Sequence, residues 1–411
     1  MIQMKSKTCL GCFYPLPQPF LDLGEMPLAN AFFRPEQAGQ KEEPFHLAVA
    51  YCPNCHLVQL TDLVPPEKLF GEYLYFSSYS DAFLAHAKAM AQSLTERFQL
   101  GPESRVIEIA SNDGYLLQYF QQRGIPVLGV EPAKNIAAVA ESRGIPTLNR
   151  FFGPDVVRGI QEGFGPADLV IGNNVLAHVP TVNEFLQAVG PCLKQTGTAV
   201  FEFPYVKELL DRTEFDTIYH EHVFYYSLTA MRILAQRAGL ELHDVTRQPV
   251  HGGSLRVFLQ HKGMSAVSSN VTDLLAEEKA AGLTGLDRYT AFSRDVAVLR
   301  DDLVHLLRDL KAAGKRLAAY GAAAKGSTLL NYCGIGPETL DFVVDRSPYK
   351  QGRYMPGERL PIHAPERLLE VMPDYVLLLA WNFADEIMAQ QQAYYRKGGK
   401  FIIPVPKPKI V

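Results

Sequence analysis

Between Ile218 and Tyr226 the chain reads Ile-Tyr-His-Glu-His-Val-Phe-Tyr-Tyr, placing a phenol, two imidazoles and a carboxylate at four consecutive positions, Tyr219 to His222. Imidazole changes charge near neutral pH, and a carboxylate beside it can orient the ring and stabilise its protonated form. Such a cluster could serve as an acid/base apparatus. Paired histidines also occur as solvated surface groups or as core rings bonded to backbone, so the surrounding chain has to supply the context. A second set that could do chemistry is Cys9-Leu-Gly-Cys12 with Cys52-Pro-Asn-Cys55; Cys192 and Cys333 stand alone. Each Cys-x-x-Cys knuckle presents two thiolates from one tight turn, and two knuckles together suggest a tetrahedral Zn²⁺ site that holds a fold rather than catalyses. A redox pair or unrelated buried thiols are the other readings.

Composition bounds what these groups can belong to. At 411 residues the chain calls for two or three domains. With 47% hydrophobic and 20% charged residues it reads as globular, and a net charge of -4 gives no general attraction to nucleic acid or anionic membrane. No run of 18 apolar residues occurs and the N-terminus lacks the apolar core of a signal peptide, so the expected location is the cytoplasm, with no membrane partner.

The elements that must position the chemistry are legible from about residue 101, where strand and helix patterns alternate as in a mainly parallel sheet with helices on its faces. Arg105 to Ala110 is a strand ending in Ser111-Asn-Asp-Gly114. Pro126 to Glu131 is the second, Ile145 to Leu148 the third, Asp168 to Ile171 the fourth and Thr198 to Phe203 the fifth. Ligands of open α/β sheets sit at the carboxyl ends of strands, where Asn112, Gly114, Glu131, Asn173 and His178 fall. Gly114 lets backbone approach a ligand, and Glu131 can accept both hydroxyls of a ribose. No Gly-x-Gly-x-x-Gly follows the first strand, which disfavours a dinucleotide and favours a nucleoside without phosphates, S-adenosylmethionine being the usual one. Glu108-Ile-Ala110-Ser-Asn112-Asp-Gly114 keeps the acid and the last Gly of the pattern common for that donor.

A second αβ unit begins at Lys315 to Tyr320 and turns through Gly321-Ala-Ala-Ala-Lys325-Gly326-Ser-Thr328. Small residues with Lys ahead of a helix suit phosphate oxygens, although the spacing of a P-loop is absent. Between the two units lie the Tyr-His-Glu-His stretch, the turn Pro249-Val-His251-Gly252-Gly253-Ser254-Leu-Arg256, and a charged helix around Asp287 to Lys311. That turn either presents polar groups to a ligand or is only a hairpin. The expected fold class is α/β, an N-terminal zinc-binding module (1–70) plus two Rossmann-like domains: a class I methyltransferase sheet binding S-adenosylmethionine (71–245) and a C-terminal domain with a turn suited to a nucleotide diphosphate (246–411).

The order of these parts resembles the S-adenosylmethionine-dependent C-methyltransferases of nucleotide-activated deoxysugars, whose members methylate C-3′ of a TDP-4-keto-hexose. The matching pieces span nearly the whole chain: the Cys9/Cys12/Cys52/Cys55 module, Glu108 to Gly114, Asn174-Val-Leu-Ala-His178-Val-Pro180, Tyr219-x-Glu221-His222, Pro249 to Gly253, Tyr320 to Lys325, Cys333 to Pro337 and Ala380-Trp-Asn382. Ala110 departs from the Gly more usual at its position. The resemblance implies His222 as the base, with Tyr219, Glu221 and His178 around the sugar and Tyr75 near donor or sugar; His220 falls outside the pattern. If the stretch is helical, Tyr219 and His222 share a face, and Glu221 could orient His222 or raise its pKa. Glu108, Ala110, Asn112, Gly114, Glu131 and Asn173 would then hold the methyl donor. Gly321 and Lys325 would take the diphosphate, and His251, Ser254 and Arg256 would reach the sugar nucleotide. Three domains enclosing a cleft could act as a monomer.

Three other readings are distinguishable. An O- or N-methyltransferase would turn over a substrate with no ketone. An NAD-dependent sugar oxidoreductase lacks its Gly-rich turn here. A zinc-ribbon adaptor for nucleic acid would need a basic stripe that the sequence does not carry.

Overall fold

The structure is a computed structural model that describes residues 4–37, 40–69, 77–79 and 81–411. Tyr75 lies outside the described residues.

The first large sheet has seven strands in the order Leu240–Gln248, Ser254–His261, Leu193–Pro204, Ala167–Asn173, Val106–Ile109, Val127–Val130, Thr147–Leu148. All neighbours are parallel except those of Ser254–His261, which runs antiparallel to both of its partners. Numbered along the chain this is 3-2-1-4-5-7-6 with the seventh strand reversed, the arrangement of a class I methyltransferase sheet. The central strands are apolar at nearly every position because helices cover both faces. The order reverses between Val106–Ile109 and Ala167–Asn173, and the carboxyl ends at such a switch are where open α/β sheets take their ligands.

The hairpin Leu240–Gln248/Ser254–His261, closed by register Gln248↔Ser254, belongs to this sheet. The sheet therefore continues to His261, past the expected boundary at 245. Pro249 to Gly253 is the connection of two antiparallel neighbours, with Gly252 and Gly253 at φ +89° and +123°.

The second sheet runs Ile362–His363, Val343–Val344, Leu317–Tyr320, Tyr375–Leu378, Lys400–Ile403, Lys409–Ile410, parallel except for the last strand. The helix Leu286–Ala312 packs between units by one stripe, Tyr289, Phe292, Val296, Leu299, Leu303 and Leu307, at helical spacing. Its Tyr289 ring stacks on Tyr51 of the N-terminal module with centroids 4.5 Å apart.

That module is a sheet of Leu21–Met26, Phe45–Tyr51 and Val58–Leu60, and its fourth strand comes from far along the chain: Phe224–Tyr225 pairs antiparallel with Gln59 and Val58. The residues immediately after the Tyr-His-Glu-His stretch are thus woven into the cysteine-bearing module.

Candidate active site

The strand Val106–Ile109 delivers the chain into a tight left-handed turn, with Ala110 at φ +56°, Asn112 at +50° and Gly114 at +79°. The methyl of Ala110 is therefore carried in a conformation that costs roughly 1–2 kcal/mol relative to Gly. At Gly114 a Cβ would also lie 2.8 Å from Ile145 Cγ1, so only hydrogen fits. Glu131, at the end of the second strand, accepts from the backbone N–H of Asn112 at 3.0 Å and of Ala133 at 2.8 Å. Each oxygen keeps a lone pair for a hydroxyl. Burial raises its pKa above the usual range against those two amide bonds. Glu108 is wholly buried, and burial pushes its carboxyl well above the carboxylate range, so it holds its proton. Asn173 donates to the Tyr115 hydroxyl at 3.1 Å, while its buried amide oxygen has no acceptor role filled. Asn112 Oδ1 accepts from the N–H of Ser77, bringing the segment that follows Tyr75 onto this turn. A carboxylate with spare lone pairs, a close backbone turn and an orphan amide oxygen together suit a nucleoside that also carries an amino acid, as S-adenosylmethionine does.

Residues 218–222 form a turn, not a helix: the segment leaves the short 3₁₀ turn Phe215–Thr217 and His222 N–H donates to Tyr219 C=O at 2.9 Å. The turn still brings the two expected partners together. Tyr219 Oη is 2.7 Å from His222 Nε2, and His222 Nδ1 is 3.0 Å from the Thr217 carbonyl. A carbonyl only accepts, so Nδ1 carries the hydrogen and Nε2 accepts from the phenol. His178 meets His222 edge to face, with centroids 4.9 Å apart, and its burial lowers its pKa to about 4, holding it neutral. Glu221 is turned the other way. It accepts from Asn30 Nδ2 at 2.6 Å, and burial pushes its pKa up to about 7. The expectation that Glu221 orients His222 gives way to Thr217 O in that role. His220 is buried with Nε2 3.1 Å from Phe45 O, a structural position.

All three units pin this stretch. Val223 N–H donates to Ala177 O at 2.7 Å and Tyr226 Oη to Leu176 O at 3.0 Å, from the first sheet. Leu60 N–H donates to Val223 O at 2.9 Å, from the cysteine module. Thr328 Oγ1 donates to Ile218 O at 3.2 Å, from the second αβ unit.

In that second unit Gly321 stands at φ +98° against Ala380, opposite the switch in strand order. Its neighbour Ala322 gives its N–H to Asp345 at 2.7 Å, so this amide is already used. The following helix, Ala324–Cys333, starts without a side-chain cap, which leaves its first N–H groups for an acceptor. The Lys325 ammonium lies 4.4 Å over the Trp381 ring, whose Nε1 donates to Asp216 at 2.6 Å. Of the groups expected near the sugar nucleotide, His251 has its backbone in the short turn Val250–Gly252, and Ser254 spends its hydroxyl on Val250 O at 3.1 Å. Arg256 is placed elsewhere. It is buried opposite Glu202, with Nε and Nη2 at 3.0 and 2.9 Å from one carboxylate oxygen, while His86 takes the other at 2.7 Å. Its charge is committed to the first sheet because Glu202 and Arg256 are register partners on adjacent strands.

The four cysteines converge as expected. Their sulfurs lie within 4.8 Å of one another, with Cys9–Cys55 and Cys12–Cys52 each at 3.5 Å. Tetrahedral zinc with Zn–S of about 2.3 Å needs sulfurs roughly 3.8 Å apart, so this set fits structural Zn²⁺. Asn30, Glu214, Asp216 and Trp381 were not singled out by sequence as site residues. The acids at 214 and 216 stand just ahead of Tyr219, and Trp381 falls within the matching Ala380-Trp-Asn382, so these three carried a local signal and Asn30 carried none.

Three family models match the chain: a zinc binding domain over residues 9–70, a methyltransferase domain over 83–245 and a C-methyltransferase C-terminal domain over 249–406. The C-methyltransferase NovU of Streptomyces niveus is 38% identical over 392 residues, covering 95% of this chain and 93% of that protein. Among solved structures, the PH0226 protein of Pyrococcus horikoshii aligns over 47% of this chain and 99% of its own at 15% identity, with a TM-score of 0.37. The magnesium protoporphyrin IX methyltransferase of Synechocystis PCC 6803 aligns over 48% and 89% at 12% identity, with a TM-score of 0.33.

Proposed function

We propose, for a chain that belongs to the S-adenosylmethionine-dependent C-methyltransferases, that its substrate is a nucleotide-activated 4-keto-deoxyhexose methylated at C-3′. S-adenosylmethionine, when bound, supplies an electrophilic methyl group. Carbon becomes nucleophilic only once a proton is removed, and a ketone at C-4′ makes the C-3′ proton acidic enough for a positioned base. The observation that carries the reading is the Tyr219–His222 pair, with Nε2 accepting from the phenol and Nδ1–H anchored on Thr217 O.

The C-3′ proton passes to the Tyr219 oxygen as the phenol hands its own hydrogen to His222 Nε2, so the phenol never carries net charge. The sugar is left as its enolate, with charge on the ketone oxygen, and His222 as imidazolium. Carbon–carbon bond formation restores the ketone, and His222 returns its proton to solvent. Neutral His178 sits beside this pair without adding charge that would compete for the proton. Gly321, the free helix N-terminus after it, and Lys325 take the diphosphate.

Solvent exchange at C-3′ tests this. With a TDP-4-keto-deoxyhexose in deuterated buffer, the wild-type protein should wash the C-3′ hydrogen out, and His222→Asn should not. Full exchange by His222→Asn moves the base elsewhere, and a preferred substrate with no ketone overturns the reading.

A further inference from the structure

Beside the Lys325 turn lies a cluster that the proton transfer does not use. Glu214 precedes the short turn Phe215–Thr217 and Asp216 lies within it, and both side chains are buried, Asp216 completely. One oxygen of each, Glu214 Oε1 and Asp216 Oδ1, is sealed from solvent with no hydrogen-bond partner among the described residues. The other Asp216 oxygen accepts from Trp381 Nε1, and the Lys325 ammonium lies over the same indole ring, 4.4 Å from its centroid. Gly252 closes the cluster from a third segment, since a Cβ there would stand 2.6 Å from the Glu214 carboxylate. The Arg212 guanidinium holds that turn by donating to Gly252 O at 2.8 Å.

Buried orphan oxygens on native side chains call for a partner that the free protein does not supply. Two carboxylates would repel a diphosphate, whereas two carboxylic acids would offer it O–H donors. The charges facing them decide which form is present. Glu214 is faced by Lys325 from the helix, by Asp216 on its own segment, and by Arg212 and Glu208 from the preceding helix; burial outweighs the cations and pushes it up to about 8. Asp216 is faced by Lys325, Trp381 and the Cys333 thiol, and burial pushes it up to about 6.

We propose that Glu214 and Asp216 are diphosphate-binding residues that act as carboxylic acids, each donating its O–H to a phosphate oxygen held by Lys325, so that the nucleotide sugar binds together with protons. This rests on the reading that a nucleotide sugar occupies this unit. It assigns to two acids a task usually given to cations. The bound anion stabilises each neutral carboxyl and destabilises its ionised form, so binding above pH 7 must draw a proton from solvent.

Titration calorimetry of the full protein with thymidine diphosphate and uridine diphosphate, in buffers of differing ionisation enthalpy, reads the protons directly. Wild-type protein should take up between about one and two protons per bound diphosphate at pH 8, and its affinity should fall on the order of a thousandfold between pH 7 and pH 9. In Glu214→Gln, whose amide donates without titrating, uptake at pH 8 should drop by about half a proton and the fall in affinity should shrink about tenfold. Asp216→Asn should remove about one proton of the uptake at pH 8 and leave only about a tenfold fall in affinity. Binding of S-adenosylhomocysteine to each variant checks that it is folded. Diphosphate binding without proton uptake in the wild type, or equal uptake in Glu214→Gln, overturns the assignment while leaving the substrate reading intact. A wild-type protein that binds S-adenosylhomocysteine but neither diphosphate overturns both.

Discussion

The Tyr219 hydroxyl donates to Nε2 of His222 across 2.7 Å, and the same imidazole is fixed from behind by the Thr217 carbonyl at 3.0 Å. In the proposed proton transfer the phenol meets the substrate carbon and the imidazole stores the proton. Tyr219→Phe should therefore lower both C-3′ exchange and methyl transfer by about 10²–10⁴-fold, as much as His222→Asn does. Donor affinity, measured with S-adenosylhomocysteine, should stay within experimental error. Rapid exchange in Tyr219→Phe would show that His222 meets carbon directly.

Arg256 gives a contrasting expectation, because its guanidinium is spent on Glu202. Burial would raise Glu202, but the His86 hydrogen bond and the Arg256 charge hold it below the usual carboxylate value. Removing the cation strands a buried anion, so Arg256→Met should cost about 3 kcal/mol of stability in a denaturant titration. The KM for the nucleotide sugar should change less than twofold. A large KM effect with unaltered stability would return Arg256 to the substrate site.

Local chemistry was readable where it is carried by spacing. The two Cys-x-x-Cys knuckles close on one point, and Gly114 and Glu131 stand at strand ends as alternation of strand and helix requires. What could not be read is long-range pairing. Asn30 reaches Glu221 across 191 positions, and Phe224–Tyr225 finds Gln59 and Val58, partners that no periodicity announces. The hairpin Leu240–Gln248/Ser254–His261 carries the first sheet across the expected division at 245, because an antiparallel last strand has no signal distinguishing it from the start of a new unit. Tyr219 and His222 meet as expected, but through a turn, since a hydrogen bond between positions 219 and 222 is common to turns and helices.

The strand Phe224–Tyr225 joins the cysteine module to the Tyr219–His222 pair. It follows His222 by one residue and is hydrogen-bonded into the sheet that the four cysteines anchor. Stripping the metal with a chelator, or Cys52→Ser, should loosen Tyr219 and His222 and reduce methyl transfer by at least about tenfold. The donor turn at Ala110 to Gly114 belongs to the other sheet, and S-adenosylhomocysteine should still bind. Retained turnover after metal removal, with loss of metal shown by atomic absorption, would separate the module from the site.

Buried acids also set how stability changes with pH. Glu221 and Glu214 have folded values of about 7 and about 8, raised by burial above the 4.5 of an exposed glutamate. Between pH 6.5 and 8 the folded protein retains protons that the unfolded chain has lost, so unfolding releases protons and stability falls as pH rises. His178 and His220, pushed down to about 4 from the ordinary 6.5, oppose this only near pH 6.5, where the unfolded imidazoles still hold part of a proton, and the two glutamates outweigh them. Each proton so held costs about 1.4 kcal/mol per pH unit, giving a loss of roughly 2 kcal/mol and a fall in Tm of a few degrees between pH 6.5 and 8. The Glu214→Gln, Glu221→Gln double variant should lose most of that slope in differential scanning calorimetry. A wild-type Tm that holds level or rises over the range would mean that these carboxyls ionise without penalty, and that the pocket around them is wetter than its packing indicates.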